Sequence, residues 1–431
     1  MESNGKFKTY QFSIFATLFI GYACYAYNRK SVSLAMPKLM EEGLDKNQAG
    51  LIISSQNVAY AISKFLGGIL SDRISSRLLF TSGLTACGLV TLLFANCSSV
   101  GAFACLWFLN GFAQGCGWPA CSKMLRQWFS PSQFGTWWSV LSASANISGG
   151  LSPFFSAFLI LNFGWRFSLI VAGSVSVALG GMALLVLVNS PADVGLPPVS
   201  SSSSKSGKGG KTSSEGAISD LLRSPALWLV SFSYMVVFCA KTSTVDWGQL
   251  YLLEDRKHTQ YVASAFTSSV ESGGFLGGIL AGYLTDWVLK NRPTNADSNK
   301  GNPRMPMAAY FMTIVVCCLH LLQFSVTESS SKLWISTIGF VLGAGFYGPI
   351  AIYGVVASES APDNLSGTSH AVVALAANVG AIMSGLPFSY IAKFYNWSMI
   401  FFILEITAGV NVIIMLICKN LNYNMGKKKV E

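Results

Sequence analysis

The chain has 431 residues, of which 52% are hydrophobic and only 11% are charged, and its mean hydropathy is +0.48. Soluble domains carry about 25% charged residues, so this composition excludes a soluble globular protein and predicts several membrane spans. The net charge is +10, but most of the Lys and Arg residues fall in loops on one predicted side of the membrane. This positive-inside pattern argues against a nucleic acid partner and predicts that both ends of the chain face the cytosol.

Hydropathy divides the chain into twelve apolar stretches, each long enough to cross a bilayer of about 30 Å. The predicted spans are 11–36, 47–71, 77–96, 100–128, 133–162, 165–188, 224–253, 260–290, 306–326, 331–358, 364–392 and 395–418. We therefore expect an all-α membrane protein with a six-helix N-terminal half (1–195), a flexible cytosolic linker (196–222), a six-helix C-terminal half (223–418) and a cytosolic tail (419–431). The linker is rich in Pro, Ser, Gly and Lys, a composition that cannot bury a core.

Two adjacent cations, Arg29 and Lys30, interrupt the first predicted span. A cation inside a span costs roughly 2.5–3.5 kcal/mol on insertion scales, so the pair predicts a bound anion. Adjacent residues diverge by about 100° around a helix and cannot face one ligand equally. We assign Arg29 to the ligand, and Lys30 to the edge of the ligand or to an acidic neighbour.

Polar side chains recur at helical spacing on several spans, such as Asn110, Gln114 and Trp118 on the fourth. These stripes indicate a shared polar cavity near the midplane of the membrane. The alternative is hydrogen bonding between helices that only holds the bundle together. The candidate residues for the cavity or for contacts with a sugar are Tyr25, Gln56, Lys64, Trp118, Trp138 and Asn146.

Two further residues are candidates for contact with a phosphate group. Tyr60 lies on the polar stripe of the second span, and His370 lies in a helix of small residues. His370 would donate a hydrogen bond to phosphate. The alternative for His370 is a neutral packing residue.

A short motif repeats at the cytosolic ends of the second and eighth spans. Gly68-Ile-Leu-Ser-Asp72-Arg73 is followed 214 positions later by Gly282-Tyr-Leu-Thr-Asp286. In both copies a glycine precedes an aspartate by one helical turn. The repetition predicts a transporter built of two parallel repeats, with Asp72, Arg73 and Asp286 in gating or loop contacts.

The same offset relates the first helices of the two halves. It carries Arg29 to Ser243, two positions from Lys241, so the first helix of each half carries a deep cation at a roughly equivalent position. A phosphomonoester carries about −1.5 to −2 charges at pH 7. Arg offers a planar fork to two phosphate oxygens and Lys a mobile point charge. We expect Arg29 and Lys241 to bind phosphate from opposite halves.

The stretch Trp107-Phe-Leu-Asn-Gly-Phe-Ala-Gln-Gly-Cys-Gly-Trp-Pro119, continued by Phe134-Gly-Thr-Trp-Trp138, resembles the signature of the organophosphate:phosphate antiporters of the major facilitator superfamily. The resemblance extends over nearly the whole chain and is strongest to the branch that serves the animal endoplasmic reticulum. The chain departs from the family pattern at Ser75, where the loop motif usually has glycine. It departs again at Lys241, where the bacterial members have arginine.

The resemblance implies a major facilitator fold and the exchange of glucose 6-phosphate for inorganic phosphate across the endoplasmic reticulum membrane by alternating access. It also implies functional coupling to a lumenal glucose-6-phosphatase, a role in glucose homeostasis, and neither enzyme activity nor a cofactor or metal. Lys428 and Lys429 resemble a dilysine retrieval signal of that compartment.

Several alternatives to this function stay open. The nearest are a sugar-phosphate sensor without transport and an exchanger of another organophosphate. A proton-coupled symporter of neutral sugar would need a central carboxylate, for which Asp246 and Glu271 are candidates. A membrane-embedded phosphatase would need a nucleophile and a base in a lumenal loop, and the sequence offers no such arrangement.

Overall fold

The structure is a computed structural model that describes residues 2–197, 219–290, 301–361, 365–423 and 425. Within these ranges it does not describe the side chains of residues 2–4, 65, 68–73, 131–136, 139, 289–290 and 366–367. The predicted contacts of the Asp72 and Arg73 side chains, most of the predicted linker and the lysine signal at Lys428 and Lys429 therefore lie outside the described residues.

The chain forms two compact units, Met1–Lys208 and Gly209–Glu431, and the division falls in the stretch predicted as a linker. The helices of the first unit are α1 (Glu2–Glu41), α2 (Lys46–Arg73), α3 (Ser76–Ala95), α4 (Val100–Gln114), α5 (Gly117–Trp128), α6 (Pro131–Phe163) and α7 (Trp165–Val186). A 3₁₀ turn follows at Pro191–Val194.

The helices of the second unit begin with α8 (Pro225–Leu250), which continues into a π-helical turn at Tyr251–Asp255. They continue with α9 (Gln260–Lys290), α10 (Met305–Phe324), α11 (Lys332–Ser360), α12 (Ser366–Met383), α13 (Leu386–Phe394) and α14 (Trp397–Ile417). A 3₁₀ turn at Cys418–Asn420 closes the unit.

Two of the predicted spans are broken helices. The predicted span 100–128 divides into α4 and α5, and the predicted span 364–392 divides into α12 and α13. A proline lies just after each break. Pro119 and Pro387 have no N–H group, so the carbonyls four residues earlier, at Gly115 and Met383, lose their helical partner.

Eight helices in the described residues are long and apolar enough to cross a membrane. They are Ser76–Ala95, Val140–Phe163, Trp165–Val186, Pro225–Asp255, Met305–Phe324, Lys332–Ser360, Thr368–Phe394 and Trp397–Asn420. No strand occurs in the described ranges, and the prediction of an all-α membrane protein is confirmed. The helices outside this set include α1 and α9, which carry the ionisable residues Arg29 and Glu271.

Helices within each unit approach closely where a glycine removes the side chain. In the first unit, a Cβ atom on Gly115 would lie 2.6 Å from the backbone nitrogen of Lys64, so α2 passes directly over the break between α4 and α5. In the second unit, a Cβ on Gly273 or Gly343 would collide with backbone oxygens across the contact between α9 and α11. Such contacts let helix backbones meet without intervening side chains.

Candidate anion site

Arg29 is a half-buried cation whose contacts are with uncharged groups. Its Nε atom donates a hydrogen bond of 2.8 Å to Oε1 of Gln114. Its Cζ atom lies 4.4 Å from the centre of the Tyr60 ring. Among the described residues, no carboxylate forms an ion pair with Arg29. A half-buried guanidinium held in this way, in a predicted membrane span, is suited to an anion from outside the chain.

Tyr60, one of the residues predicted to contact phosphate, lies beside a second cation as well as Arg29. The Nζ atom of Lys64, one turn further along α2, lies 5.9 Å from the centre of the same ring. The face of an aromatic ring attracts cations without cancelling their charge. Tyr60 therefore contacts two cations in the first unit, Arg29 and Lys64, without neutralising either charge. Lys30, the neighbour of Arg29, is half-buried.

Two residues predicted to line a cavity form hydrogen bonds within the protein. Tyr25 is fully buried in the core of the first unit, where its hydroxyl donates a 2.7 Å hydrogen bond to the carbonyl of Phe80. Gln56 is buried, and its Nε2 atom donates to the backbone carbonyl of Arg29 at 3.3 Å. Both side chains join helices of this unit, which is the bundle-holding alternative noted for polar residues in spans.

The predicted sugar-contacting tryptophans lie side by side. The rings of Trp118 and Trp138 meet edge to face with centres 4.6 Å apart. The ring centre of Tyr22 lies 4.9 Å from that of Trp118. Asn146 is half-buried on α6, two turns beyond Trp138 on the same helix. The first unit therefore brings a group of half-buried aromatic rings to the helix that carries Arg29.

In the second unit, Lys241 is half-buried on α8 among aromatic rings. Its Nζ atom lies 5.1 Å from the ring centre of Tyr347 and 5.8 Å from that of Phe238. The Tyr347 hydroxyl donates a 2.6 Å hydrogen bond to Glu271, which is only 6% exposed. Sequence reasoning missed Tyr347, because one tyrosine in an apolar helix resembles an ordinary packing residue.

His370 is exposed at the start of α12. Its Nδ1 atom lies 3.3 Å from the carbonyl oxygen of Gly354 on α11. This contact is consistent with either prediction for His370, since the second ring nitrogen stays available to a ligand.

Asp286 belongs to a network that ties three helix ends of the second unit together. Arg304, which precedes α10, binds Glu359 at the end of α11 through two hydrogen bonds of 3.0 Å. The same guanidinium donates to Asp286 at 2.9 Å and to Thr285 at 3.0 Å, both on α9. The sequence motif identified Asp286 but gave no signal for Arg304 or Glu359, whose partners are distant in the chain.

This network also sets the pKa of Arg304. Burial by itself would lower the pKa of the guanidinium, but the hydrogen bonds and charges of Glu359 and Asp286 raise it above its ordinary value. Arg304 therefore stays charged, and the contact acts as a fixed ionic link at this end of the unit.

The sequence of this chain matches a protein family and several named proteins. The family model described as Major Facilitator Superfamily matches residues 18–385. A probable hexose phosphate transport protein of Chlamydia pneumoniae is 32% identical over 429 residues, covering 95% of this chain and 91% of that protein. The membrane sensor protein UhpC of Escherichia coli (strain K12) is 30% identical over 423 residues, covering 96% and 93%. The glycerol-3-phosphate transporter of Bacillus subtilis (strain 168) is 27% identical over 440 residues, covering 99% and 95%.

Solved structures show the same fold. A bacterial homolog of the human lysosomal transporter Spinster, inward-facing and occupied, superposes with a TM-score of 0.73 at 12% identity, covering 97% of both chains. The nucleoside transporter NupG superposes with a TM-score of 0.66 at 13% identity, covering 95% of this chain and 99% of that one. At these identities the likeness concerns the fold and not the ligand.

Proposed function

The chain belongs to the Major Facilitator Superfamily, and from that premise we propose that it exchanges glucose 6-phosphate for inorganic phosphate across the endoplasmic reticulum membrane. The relatives named above carry hexose phosphates or glycerol 3-phosphate, or sense across a membrane, by their names. A phosphate ester is the chemistry that the two transporters have in common. The proposed role is transport without catalysis.

The observation that carries the proposal is the surroundings of Arg29. The guanidinium has an amide oxygen and aromatic rings as neighbours and no carboxylate partner in the described residues. A desolvated cation costs free energy unless a counter-charge accompanies it. A dianionic phosphate would supply that charge, and the planar guanidinium can donate to two of its oxygens.

Lys241 is the proposed phosphate ligand of the second unit. It supplies a charge on a flexible stem, and the rings of Phe238 and Tyr347 support that stem without neutralising it. Lys30, Tyr60 and His370 are proposed as further phosphate contacts. Each of these assignments follows from the residue's charge or donor atoms.

The sugar ring is proposed to contact the aromatic group around Trp118 and Trp138. An aromatic face can pack on the apolar C–H face of a pyranose. Lys64 and Asn146 would donate to sugar hydroxyls from the same unit. Gln56, whose amide also binds the backbone of Arg29, is proposed to line the path of the sugar.

The cations also suggest why transport would be exchange. An empty site in which Arg29 has no carboxylate partner among the described residues should resist reorientation within the membrane, and a bound phosphate lowers that cost. Inorganic phosphate and sugar phosphate would both neutralise the site. The binding site would therefore reorient in one direction with one ligand bound and in the opposite direction with the other. In the cell, a lumenal glucose-6-phosphatase would consume the imported ester and produce the phosphate that leaves.

Proteoliposomes loaded with inorganic phosphate test the proposal. We expect uptake of labelled glucose 6-phosphate that unlabelled glucose 6-phosphate inhibits strongly, glycerol 3-phosphate less and glucose not at all. Arg29→Ala should abolish uptake, and Arg29→Lys should retain part of it. Strong net uptake into vesicles without internal phosphate would rule out obligatory exchange, and normal uptake by Arg29→Ala would rule out the Arg29 assignment.

A sensor of sugar phosphates is the second candidate, favoured by the 30% identity to the membrane sensor protein UhpC over 96% of the chain. A sensor needs the same binding residues but no complete transport cycle. The two candidates differ in a single measurement. A sensor would bind glucose 6-phosphate in detergent and show no flux in the loaded vesicles.

A further inference from the structure

Behind Arg29, buried amide side chains form one hydrogen-bonded chain between α1, α4 and α7. Asn28 and Asn110 have no exposed surface, and Gln114 is 2% exposed. The chain begins at Ser176, which accepts from Asn28 at 3.1 Å. Asn110 donates to Asn28 at 2.8 Å, Gln114 donates to Asn110 at 2.9 Å, and Arg29 donates to Gln114 at 2.8 Å. This hydrogen-bonded series of side chains contains no carboxylate.

The donors and acceptors of this chain fit in one orientation. The Ser176 hydroxyl gives its proton to a backbone carbonyl at 2.8 Å, so it must accept from Nδ2 of Asn28. Oδ1 of Asn28 then accepts from Nδ2 of Asn110. Oδ1 of Asn110 in turn accepts from Nε2 of Gln114, which leaves Oε1 of Gln114 facing Arg29. Reversing one amide would bring two donors or two acceptors together in a buried place.

This orientation has a consequence for the guanidinium of Arg29. The hydrogen bond to Gln114 uses Nε, at the stem of the group. The two Nη nitrogens, which form the fork that suits two phosphate oxygens, lie outside the amide chain. The acceptor is also neutral, so it fixes the plane of the guanidinium and leaves its charge uncompensated.

We propose that Gln114 is a positioning residue for anion binding, which holds Arg29 through Nε with an uncharged acceptor and so presents its charge to the ligand. The inference rests on the proposed binding of phosphate by Arg29. A glutamate at this position would satisfy Nε equally well, but it would pair with the guanidinium and compete with phosphate. The neutral amide is therefore the feature that keeps the site ready for an anion.

The test compares Gln114→Glu, Gln114→Met and wild type in phosphate-loaded proteoliposomes, using the folded fraction of each protein. The measured quantities are the half-saturating concentration of inorganic phosphate and the midpoint of thermal unfolding in detergent. We expect Gln114→Glu to raise the half-saturating concentration at least tenfold while its midpoint equals or exceeds that of wild type. A residue with a merely structural role would lose affinity only together with stability.

Gln114→Met keeps the size of the side chain and removes its hydrogen bonds. It should lower the midpoint and raise the half-saturating concentration by about threefold to tenfold, and it carries the test if Gln114→Glu fails to fold. Gln48→Glu adds the same charge elsewhere in the first unit and should leave phosphate binding unchanged. Gln48 is half-buried near the start of α2, where it accepts from the backbone of Asp45.

The outcomes separate this inference from the proposed function. If wild type shows no phosphate exchange or binding, the proposed function fails. If wild type exchanges phosphate, Arg29→Ala does not, and folded Gln114→Glu has a wild-type half-saturating concentration, only the role of Gln114 is overturned. An equal loss in Gln48→Glu would also overturn it, because net charge would then explain the effect.

Discussion

Tyr347 donates a 2.6 Å hydrogen bond to the buried carboxylate of Glu271 and also presents its ring to Nζ of Lys241 at 5.1 Å. One side chain thus links an acid on α9 to a cation on α8, although the acid and the cation form no direct ion pair. The link keeps Glu271 hydrogen-bonded and leaves the charge of Lys241 uncancelled by it. Two residues that the sequence presents as unrelated charges are joined by a third.

Tyr347→Phe tests this link. The variant keeps the ring beside Lys241 but removes the hydroxyl that satisfies Glu271. Leaving a buried acceptor without its donor costs about 1–3 kcal/mol, so we expect a lower midpoint of thermal unfolding in detergent. The half-saturating concentration of phosphate should change much less than the stability.

Adding Glu271→Gln to that variant provides the control. An unpaired amide in a buried position is less unfavourable than an unpaired carboxylate, so the double variant should be more stable than Tyr347→Phe alone. A midpoint equal to that of wild type in Tyr347→Phe would show that the hydrogen bond contributes nothing.

Arg304→Lys tests the network at the ends of α9, α10 and α11. A lysine keeps the charge but cannot bind both Glu359 oxygens and also reach Asp286. Hydrogen bonds to charged groups contribute about 1.5–3 kcal/mol each when buried. Because the side chain of Asp286 is 73% exposed, we expect a total loss in the lower part of that range, seen as a lower thermal midpoint.

Arg223→Lys is the matched control for the Arg304 variant. Arg223 is exposed, and its side chain forms no hydrogen bond or ion pair with the described residues. Its replacement should leave the midpoint unchanged. Equal midpoints in the two variants would mean that the network of Arg304 does not stabilise the protein.

Trp138→Ala tests the proposed contact with the sugar ring. Aromatic contacts of this kind contribute about 0.5–1.5 kcal/mol, which corresponds to a loss of roughly 2-fold to 12-fold in affinity. We expect inhibition by glucose 6-phosphate to weaken by that factor, while exchange of inorganic phosphate is retained. The measurement is a competition assay in phosphate-loaded vesicles.

Trp137→Phe is the companion variant to Trp138→Ala. Trp137 packs against Phe15 and Phe129 at the core of the first unit, with ring centres 4.5 Å and 4.7 Å away. The Trp137→Phe variant should be less stable than wild type, but the ratio of its affinities for glucose 6-phosphate and inorganic phosphate should be unchanged. A proportional loss for both ligands in Trp138→Ala would assign Trp138 to packing.

Gly115→Ala tests the close approach of α2 to the break between α4 and α5. The added Cβ would lie 2.6 Å from the nitrogen of Lys64, and overpacking of this kind costs about 1–3 kcal/mol. Gly181→Ala is the control, since a Cβ there meets nothing within 4 Å. Replacing a glycine inside a helix stabilises by about 0.5–1 kcal/mol, so thermal midpoints should move in opposite directions. A shift of the same sign in both variants would contradict the close contact.

Much of the fold follows from local properties of the sequence. Long apolar stretches predicted helices, and the structure has a helix or a broken pair of helices at each predicted span. The two breaks follow less directly, because Pro119 and Pro387 remove hydrogen bonds beside them while Pro153 and Pro349 lie inside unbroken helices. Hydropathy predicts 100–128 and 364–392 as continuous spans, so the breaks were not predicted.

For the candidate site, the sequence determined less than it did for the fold. The sequence by itself determined that Arg29 and Lys241 are cations in apolar helices, because the cost of burying charge depends on residue type and span alone. Only the tertiary structure decided which neighbours they have. Gln114 and Tyr347 reach the two cations from 85 and 106 positions away along the chain, and Tyr25, four residues before Arg29 on α1, is buried in the core. Helical spacing fixes the direction of a side chain on its own helix, but its partners depend on how the helices pack.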